Sequence, residues 1–275
     1  MSVYQHFGLT GPPFSVAPDP RFAYQTLAHE NALTNIVYSV DEHRGLFLLQ
    51  GEIGTGKTTL GRFLMNYWSS QPEKYSAAYL DKVAFRTPTT FLRQVVEAFG
   101  LPSTRYMDGL NKALVTFLLE CRDKEKTAVL MLDEAQLLSL QSLDLLHSFA
   151  NVQTIEDQLL QIVLLGQTNI TNKLEQRPAL RSRIAGGAYL GPITLEDAVG
   201  MLRHRMKVVG GNFDQVFLPD VHKPIYNATR GIPRELCLCA DATLVAAFSA
   251  NRETVDQAVL ETVISNMRFK DWQTK

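Results

Sequence analysis

Residues 51–58 read GEIGTGKT, which matches G-x-x-x-x-G-K-[ST] without a departure. The loop follows an apolar run, GLFLLQ (45–50), and precedes a helical stretch, so its context is strand, loop, helix. Nothing else in the chain constrains the fold as strongly. A buried strand that feeds a tight loop into a helix N-terminus calls for a parallel sheet covered by helices on both faces. Gly51, Gly54 and Gly56 let the backbone curl until its N–H groups surround an anion, and the helix opening near Lys57 adds its positive end. The candidate nucleotide-binding residues are therefore Gly51, Glu52, Ile53, Gly54, Thr55, Gly56, Lys57, Thr58 and Thr59. Lys57 is suited to the β- and γ-phosphates, and the Thr58 hydroxyl to a Mg²⁺ ion.

The strand pattern recurs at SAAYLD (76–81), AVLMLD (128–133) and LLQIVLLG (159–166), with helix-like stretches between. In TTFLRQVVEAFG (89–100), Phe91, Leu92, Val95, Val96 and Phe99 share one face. After about residue 193 the strand signals stop. Thr194 and Asp197 form an approximate capping box for a helix running to the glycines at 210–211. Further helices are predicted at about 219–229, 233–250 and 254–268, the last opened by TVDQ. The predicted organisation is an α/β domain with its N-terminal segment over 1–193, a small all-helical domain over 194–268 and a tail over 269–275. A chain of 275 residues, 45% hydrophobic and 20% charged, can bury two such cores and is neither disordered nor fibrous.

The run AVLMLDEAQ (128–136) delivers Asp133 and Glu134 to the C-terminal edge of the sheet, where open α/β folds bind ligands. There Asp133 is expected to hold Mg²⁺, mostly through water, and Glu134 to polarise an attacking water. The strand at 76–81 is expected to lie between the loop strand and this acidic strand. LLGQTN (164–169) ends a strand with Gln167, either a contact to the γ-phosphate or the water, or a turn residue. RPALRSRI (177–184) brings Arg181 and Arg183 close behind that sheet edge. In TRGIPREL (229–236), Pro233 opens a helix and Arg234 follows, either solvated or in contact with phosphate.

Charge gives no global sign of a polyanionic partner: 27 basic and 28 acidic side chains sum to -1. Any DNA contact must be local. DKVAFRTPTT (81–90) offers Lys82, Arg86, Thr87 and Thr89 in a loop, and Arg105 lies in the next loop. RHRMK (203–207) is the densest basic run, on a predicted helix face. Cys121, Cys237 and Cys239 read as reduced core thiols. The longest weakly polar stretch, LCLCADATLVAAF (236–248), is too short to span a bilayer, and no signal peptide is visible, so a soluble, cytoplasmic protein without a membrane partner is expected.

These pieces, in this order, resemble an AAA+ ATPase: phosphate loop, acidic strand of the catalytic-glutamate branch, polar sensor, arginine cluster, and a G-x-P-R motif in a helical lid. The resemblance implies ATP and Mg²⁺ as cofactors and hydrolysis of ATP to ADP and phosphate. On it, Gln167 is the first sensor, Arg234 the second sensor acting in cis, and Arg183 or Arg181 the finger completing a neighbouring subunit's site, in a homo-oligomeric ring or helical filament. The opening segment, FGL…PPFSVAPDPRFAY…H, with GLFLLQGEIGTGKTTL and DEAQ, is similar to the ExeA-like group. That group includes general secretion pathway A-type ATPases and stands close to transposition regulators of TnsC and TniB type. The resemblance runs from Tyr4 to about Leu236.

It leaves two functions. Secretion-type ATPases carry a transmembrane segment and a periplasmic peptidoglycan-binding part, whereas this sequence stops at Lys275 directly after the lid. The expectation is therefore a regulator of DNA transposition that assembles on duplex DNA, recruits transposase to a site chosen by a target-selector protein, and disassembles on hydrolysis. The alternative is a secretion-type ATPase without those parts. By analogy with the regulators, Lys82, Arg86, Thr87 and Arg105 would meet DNA. The tail MRFKDWQTK (267–275) reads as a partner-docking peptide or a frayed end. Tyr4, Phe7, Phe14, Phe22 and Tyr24 are expected to pack on the ATPase core.

Overall fold

The computed structural model describes residues 2–16, 19–81, 83–153 and 158–268. Five strands, β1 (Leu46–Gly51), β2 (Tyr75–Leu80), β3 (Thr127–Leu132), β4 (Leu160–Gly166) and β5 (Ile184–Leu190), pair in parallel in the order β2-β3-β4-β1-β5. The side chains of β1, β3 and β4 alternate between two cores. Leu46 and Leu48 of β1, Leu130 and Leu132 of β3, and Ile162 and Leu164 of β4 face one. Phe47 and Leu49, Val129 and Met131, and Val163 and Leu165 face the other. This period of two explains why the runs read as continuously apolar: both faces are covered.

The crossovers divide between the faces. The helix Lys57–Ser69 buries Leu60, Leu64 and Trp68 on one side, together with the helix Leu27–Asp41. Helices Pro88–Ala98, Met107–Asp123 and Leu140–Ala150 cover the other. Phe91, Leu92, Val95 and Val96 are buried as their shared face predicts, and Phe99 packs beside them.

One expectation about the sheet needs correction, and one strand was not anticipated. The strand after the phosphate-loop helix, β2, stands at an edge, and β4 occupies the place between β1 and β3. Burial accounts for the order, since every residue of β4 is buried while β2 is only half buried, as suits an edge. In addition, β5 carries no apolar run. Its sequence, IAGGAYL, alternates between exposed and half-buried positions, and Gly186 lies flat beneath the Phe47 ring.

The chain separates into two compact units: the α/β unit of 27–53 with 57–190, and a helical unit holding the described residues of 1–26, 54–56 and 191–275. Within the helical unit, Thr194 caps the helix Leu195–Val208 by accepting from the Asp197 N–H at 3.1 Å. Helices Pro219–Thr229, Pro233–Ser249 and Gln257–Arg268 follow, with Asp256, not Thr254, accepting the N–H of Val259 at the last helix start.

The opening segment packs in this unit, not on the ATPase core as expected. Leu9, Phe14 and Phe22 are buried among Leu202, Met206, Phe213 and Phe217, while Tyr4, Phe7 and Tyr24 lie half-buried against them. Phe14 meets Phe217 edge-on at 5.9 Å. A bundle this small has too little apolar volume of its own, so the aromatics of the segment complete its core. The basic run contributes to the same docking: Arg205 Nη1 donates to Ser15 O at 2.9 Å, and His204 Nε2 pairs with Arg21 O at 2.9 Å.

One backbone position is tightly determined. Gly231 has φ +69°, and a Cβ there would lie 2.6 Å from Ile193 O, whose residue in turn donates its N–H to Gly231 O at 2.9 Å. Gly231→Ala is expected to destabilise the helical unit by about 1–3 kcal/mol. Urea unfolding followed by circular dichroism checks this, and an unchanged midpoint would show that the turn accommodates a side chain.

Candidate nucleotide site

The phosphate loop takes its shape from its glycines. Gly54 and Gly56 adopt φ of +84° and +101°, a region that side chains rarely enter. The chain thus turns back on itself between β1 and the helix Lys57–Ser69. Lys57, only 7% exposed, reaches back along the loop, its Nζ donating to Gly51 O at 2.8 Å and Glu52 O at 2.7 Å. Burial pushes the ammonium below its ordinary pKa, against the pull of the Glu134, Asp133 and Glu52 carboxylates. Thr58 and Thr59 are exposed on the first helical turn, Thr55 is buried, and Ile53 is 64% exposed. The loop's crown, 54–56, belongs to the helical unit by its contacts. There the Arg234 N–H, a first-turn donor of its helix, donates to Gly54 O at 3.2 Å. A Cβ on Gly54 would come within 2.7 Å of Arg234 Cβ. Arg234 therefore meets the loop through its backbone and Cβ.

Asp133 and Glu134 follow β3 directly. Asp133, 2% exposed, extends the ladder by donating its N–H to Leu80 O at 2.9 Å. Its Oδ2 accepts from the Tyr79 hydroxyl at 2.9 Å and its Oδ1 from the Glu134 N–H at 2.8 Å. Burial, then the Asp133 charge, pushes the Tyr79 phenol above its ordinary range, so it stays a donor. Glu134 sits in the left-handed region, φ 51° and ψ 37°, a conformation costing a non-glycine residue about 1–2 kcal/mol. The bond to Asp133 Oδ1 helps to hold it there. The Glu134 Oε2 accepts from Gln136 Nε2, and Gln167 Nε2 lies at 3.5 Å, the long limit of such a bond. Gln167, just beyond β4, donates its backbone N–H to Gln136 Oε1 at 3.0 Å.

Strand order assembles these groups. With β4 between β1 and β3, the tips bearing the loop, Gln167, and Asp133 with Glu134 are successive neighbours, at about 4.8 Å per strand. The donors suit magnesium: Thr58 supplies a hydroxyl, and Asp133 accepts one hydrogen bond at each oxygen, leaving further lone pairs. Among the described residues no group of three His, Cys, Asp or Glu gathers to hold a metal. A Mg²⁺ here would therefore depend on phosphate oxygens and water, as that ion commonly does.

The arginines stand elsewhere. Arg181 ends the short helix Pro178–Arg181 and is exposed, and Arg183, half-buried, immediately precedes β5. Parallel pairing sets Ile184 beside Leu46 and Leu190 beside Gly51. Both arginines thus lie at the opposite end of the sheet from their own phosphate loop, about 20 Å away along six residues of strand. They are not close behind the ligand edge.

The candidate DNA residues that the structure describes lie in and beside the loops flanking the helix Pro88–Ala98. Thr87 caps the helix Pro88–Ala98, its hydroxyl accepting from the Thr90 N–H at 3.2 Å. Arg86 is exposed, Thr89 is half-buried, and the Arg105 guanidinium lies 5.1 Å over the Tyr106 ring. Lys82 and the tail 269–275 lie outside the described residues. Sequence reasoning missed Tyr79, Gln136 and Lys173, whose Nζ donates to Gln136 O and Leu138 O at 2.6 and 2.7 Å. Gln136, two residues past Glu134, was within reach of a pattern reading; Tyr79 and Lys173 were not, because only the strand order brings them here.

A family model described as an AAA domain matches residues 40–174. The chain is 34% identical over 281 residues to General secretion pathway protein A of Aeromonas hydrophila, with 98% of this chain and 50% of the relative covered. It thus spans about half the length of that curated relative. Among solved structures, Drosophila ORC bound to DNA matches with a TM-score of 0.71 at 14% identity, over 96% of this chain and 65% of that one. The Aeropyrum pernix ORC2 protein in ADPNP–ADP complexes matches with a TM-score of 0.64 at 15% identity, over 90% and 72%. At such identities the likeness concerns the fold alone. Together with the parallel sheet and its phosphate loop, these matches show the AAA+ phosphate-loop ATPase fold in a chain that resembles an AAA domain over residues 40–174 and is similar to General secretion pathway protein A.

Proposed function

We propose that the chain is the ATP-binding and ATP-hydrolysing module of a general secretion pathway A-type protein. The observation that carries this is the convergence of a buried lysine, Lys57, with two carboxylates, Asp133 and Glu134, and a polar tip residue, Gln167, at the ends of neighbouring strands. Lys57 is the charge that receives the β- and γ-phosphates, exchanging the carbonyls of Gly51 and Glu52 for phosphate oxygens. The N–H groups of Gly54 to Thr59 cradle the same phosphates. Thr58 and Asp133 would hold Mg²⁺, which when bound draws negative charge from the phosphate oxygens. Glu134 accepts the proton of the attacking water, its carboxylate steadied by the amides around it. Gln167 contacts the γ-phosphate or that water, and Arg234 joins through its position against Gly54.

Arg183 or Arg181, at the far end of the sheet, acts on a neighbouring subunit's nucleotide, which requires a homo-oligomer. The secretion-type reading displaces that of a transposition regulator. The curated relative is a secretion pathway protein. Among the described residues no helix is long and apolar enough to cross a membrane.

Glu134→Gln is expected to retain nucleotide binding while hydrolysis falls by about 10²- to 10⁴-fold. Phosphate release measured beside analogue binding checks it, and wild-type turnover would remove Glu134 from the mechanism. Arg183→Ala, or Arg181→Ala if that residue is the finger, should lower turnover by about 10²- to 10³-fold. Mixing that variant with Glu134→Gln subunits should restore activity, because the latter supply the arginine; mixtures as inactive as their components would rule out action in trans. Duplex DNA should leave the ATPase rate unchanged, whereas strong stimulation would return the transposition reading to first place.

A further inference from the structure

We infer that Gln136 is a positioning residue that sets the orientation of the Glu134 carboxylate through the tip of β4. This rests on the reading of Glu134 as the group that activates water. Gln136 is only 6% exposed, and a buried amide needs partners for both of its halves. It has them: Nε2 donates to Glu134 Oε2, and Oε1 accepts the backbone N–H of Gln167 at 3.0 Å. Only one orientation of the amide satisfies both. Reversal would set a carbonyl oxygen against a carboxylate and an NH₂ group against an N–H.

The backbone that bears this amide is also fixed. Lys173 Nζ donates to Gln136 O at 2.6 Å and to Leu138 O at 2.7 Å, tying the turn after β3 to the helix after β4. Ala135, just before it, and Leu138, two residues after it, are fully buried, while Leu137 between them is exposed. Gln136 therefore links two strand ends, and the Glu134 carboxylate is the group that it restrains.

The chemical consequence is local. The side-chain amides of Gln136 and Gln167 both converge on Glu134 Oε2, so Oε1 is left as the oxygen that accepts the water's proton. Without that link the glutamate side chain, with its several rotors, would sample orientations in which neither oxygen faces the nucleophile. Binding of nucleotide, which rests chiefly on the loop and Lys57, would change far less than turnover.

Turnover and analogue binding are to be compared for wild type, Gln136→Met, Gln136→Glu, Glu134→Gln, and Glu134→Gln combined with Gln136→Met. Gln136→Met and Gln136→Glu should each lower kcat by about 10- to 100-fold, with the analogue Kd changed far less. In the Glu134→Gln background, Gln136→Met should cost nothing further, because the group it positions is already gone. Should Gln136→Met fail to fold, the near-isosteric Gln136→Glu carries the test.

The proposal is overturned if Gln136→Glu turns over at the wild-type rate. It is equally overturned if Gln136→Met costs the same fold-loss with and without Glu134, or if both Gln136 variants lose analogue binding along with kcat. Wild-type turnover by Glu134→Gln would instead sink the assignment of Glu134 itself, and the role of Gln136 with it. Unimpaired Gln136 variants beside an inactive Glu134→Gln protein would remove the role of Gln136 alone.

Discussion

The ammonium of Lys57 is the interaction on which the site depends. A lysine is rarely buried, and this one is held by two carbonyls of the strand end and loop it follows, with three carboxylates close enough to oppose its loss of charge. That arrangement fixes the path of the loop, because Nζ can reach Gly51 O and Glu52 O only if the chain folds back through the positive φ of Gly54 and Gly56. It also places a cation where an anion of several charges would find it already desolvated. Loop geometry and ligand chemistry thus have a common cause.

Strand order then distributes the remaining roles. Because β4 separates β1 from β3, a polar residue at its tip stands between the loop and the acidic pair, and Gln167 and Gln136 join the two sides through one amide. The strain of Glu134 in the left-handed region is matched by bonds to its N–H and its carboxylate. The same parallel pairing that gathers these groups carries Arg181 and Arg183 to the opposite end, at the start of β5. Residues so placed stand away from their own phosphate loop.

Much of this was legible in the residues. The four apolar runs became strands within one residue of their expected ends, since a strand buried on both faces leaves little room for other side chains. Thr194, capping with Asp197, and Pro233, opening its helix, behaved as local chemistry requires. What was not legible lay in pairings distant in sequence. β5 hid because an edge strand lined with Gly186 and Gly187 has no hydrophobic signature. The neighbour of β1 could not be read from chain order, and with it went Lys173, whose helix follows β4. The aromatic opening segment was recognised as ordered but assigned to the wrong unit, because hydrophobicity says that Phe14 and Phe22 are buried without saying against what. The choice of a transposition role rested on where the sequence stops, and the match to a secretion pathway protein of twice the length removed that ground.

The central claim is that Lys57 is the phosphate receptor of an ATP site, and its most direct measurement is nucleotide affinity with and without the ammonium. Calorimetric titration of wild type and Lys57→Met with Mg-ATP analogue, accompanied by thermal unfolding, reads both binding and its linkage to stability. The analogue should bind and stabilise wild type, whereas Lys57→Met should remain folded but lose binding by about 100-fold or more, equivalent to about 2.7 kcal/mol. Equal affinity in the two proteins, with equal stabilisation, would contradict that claim.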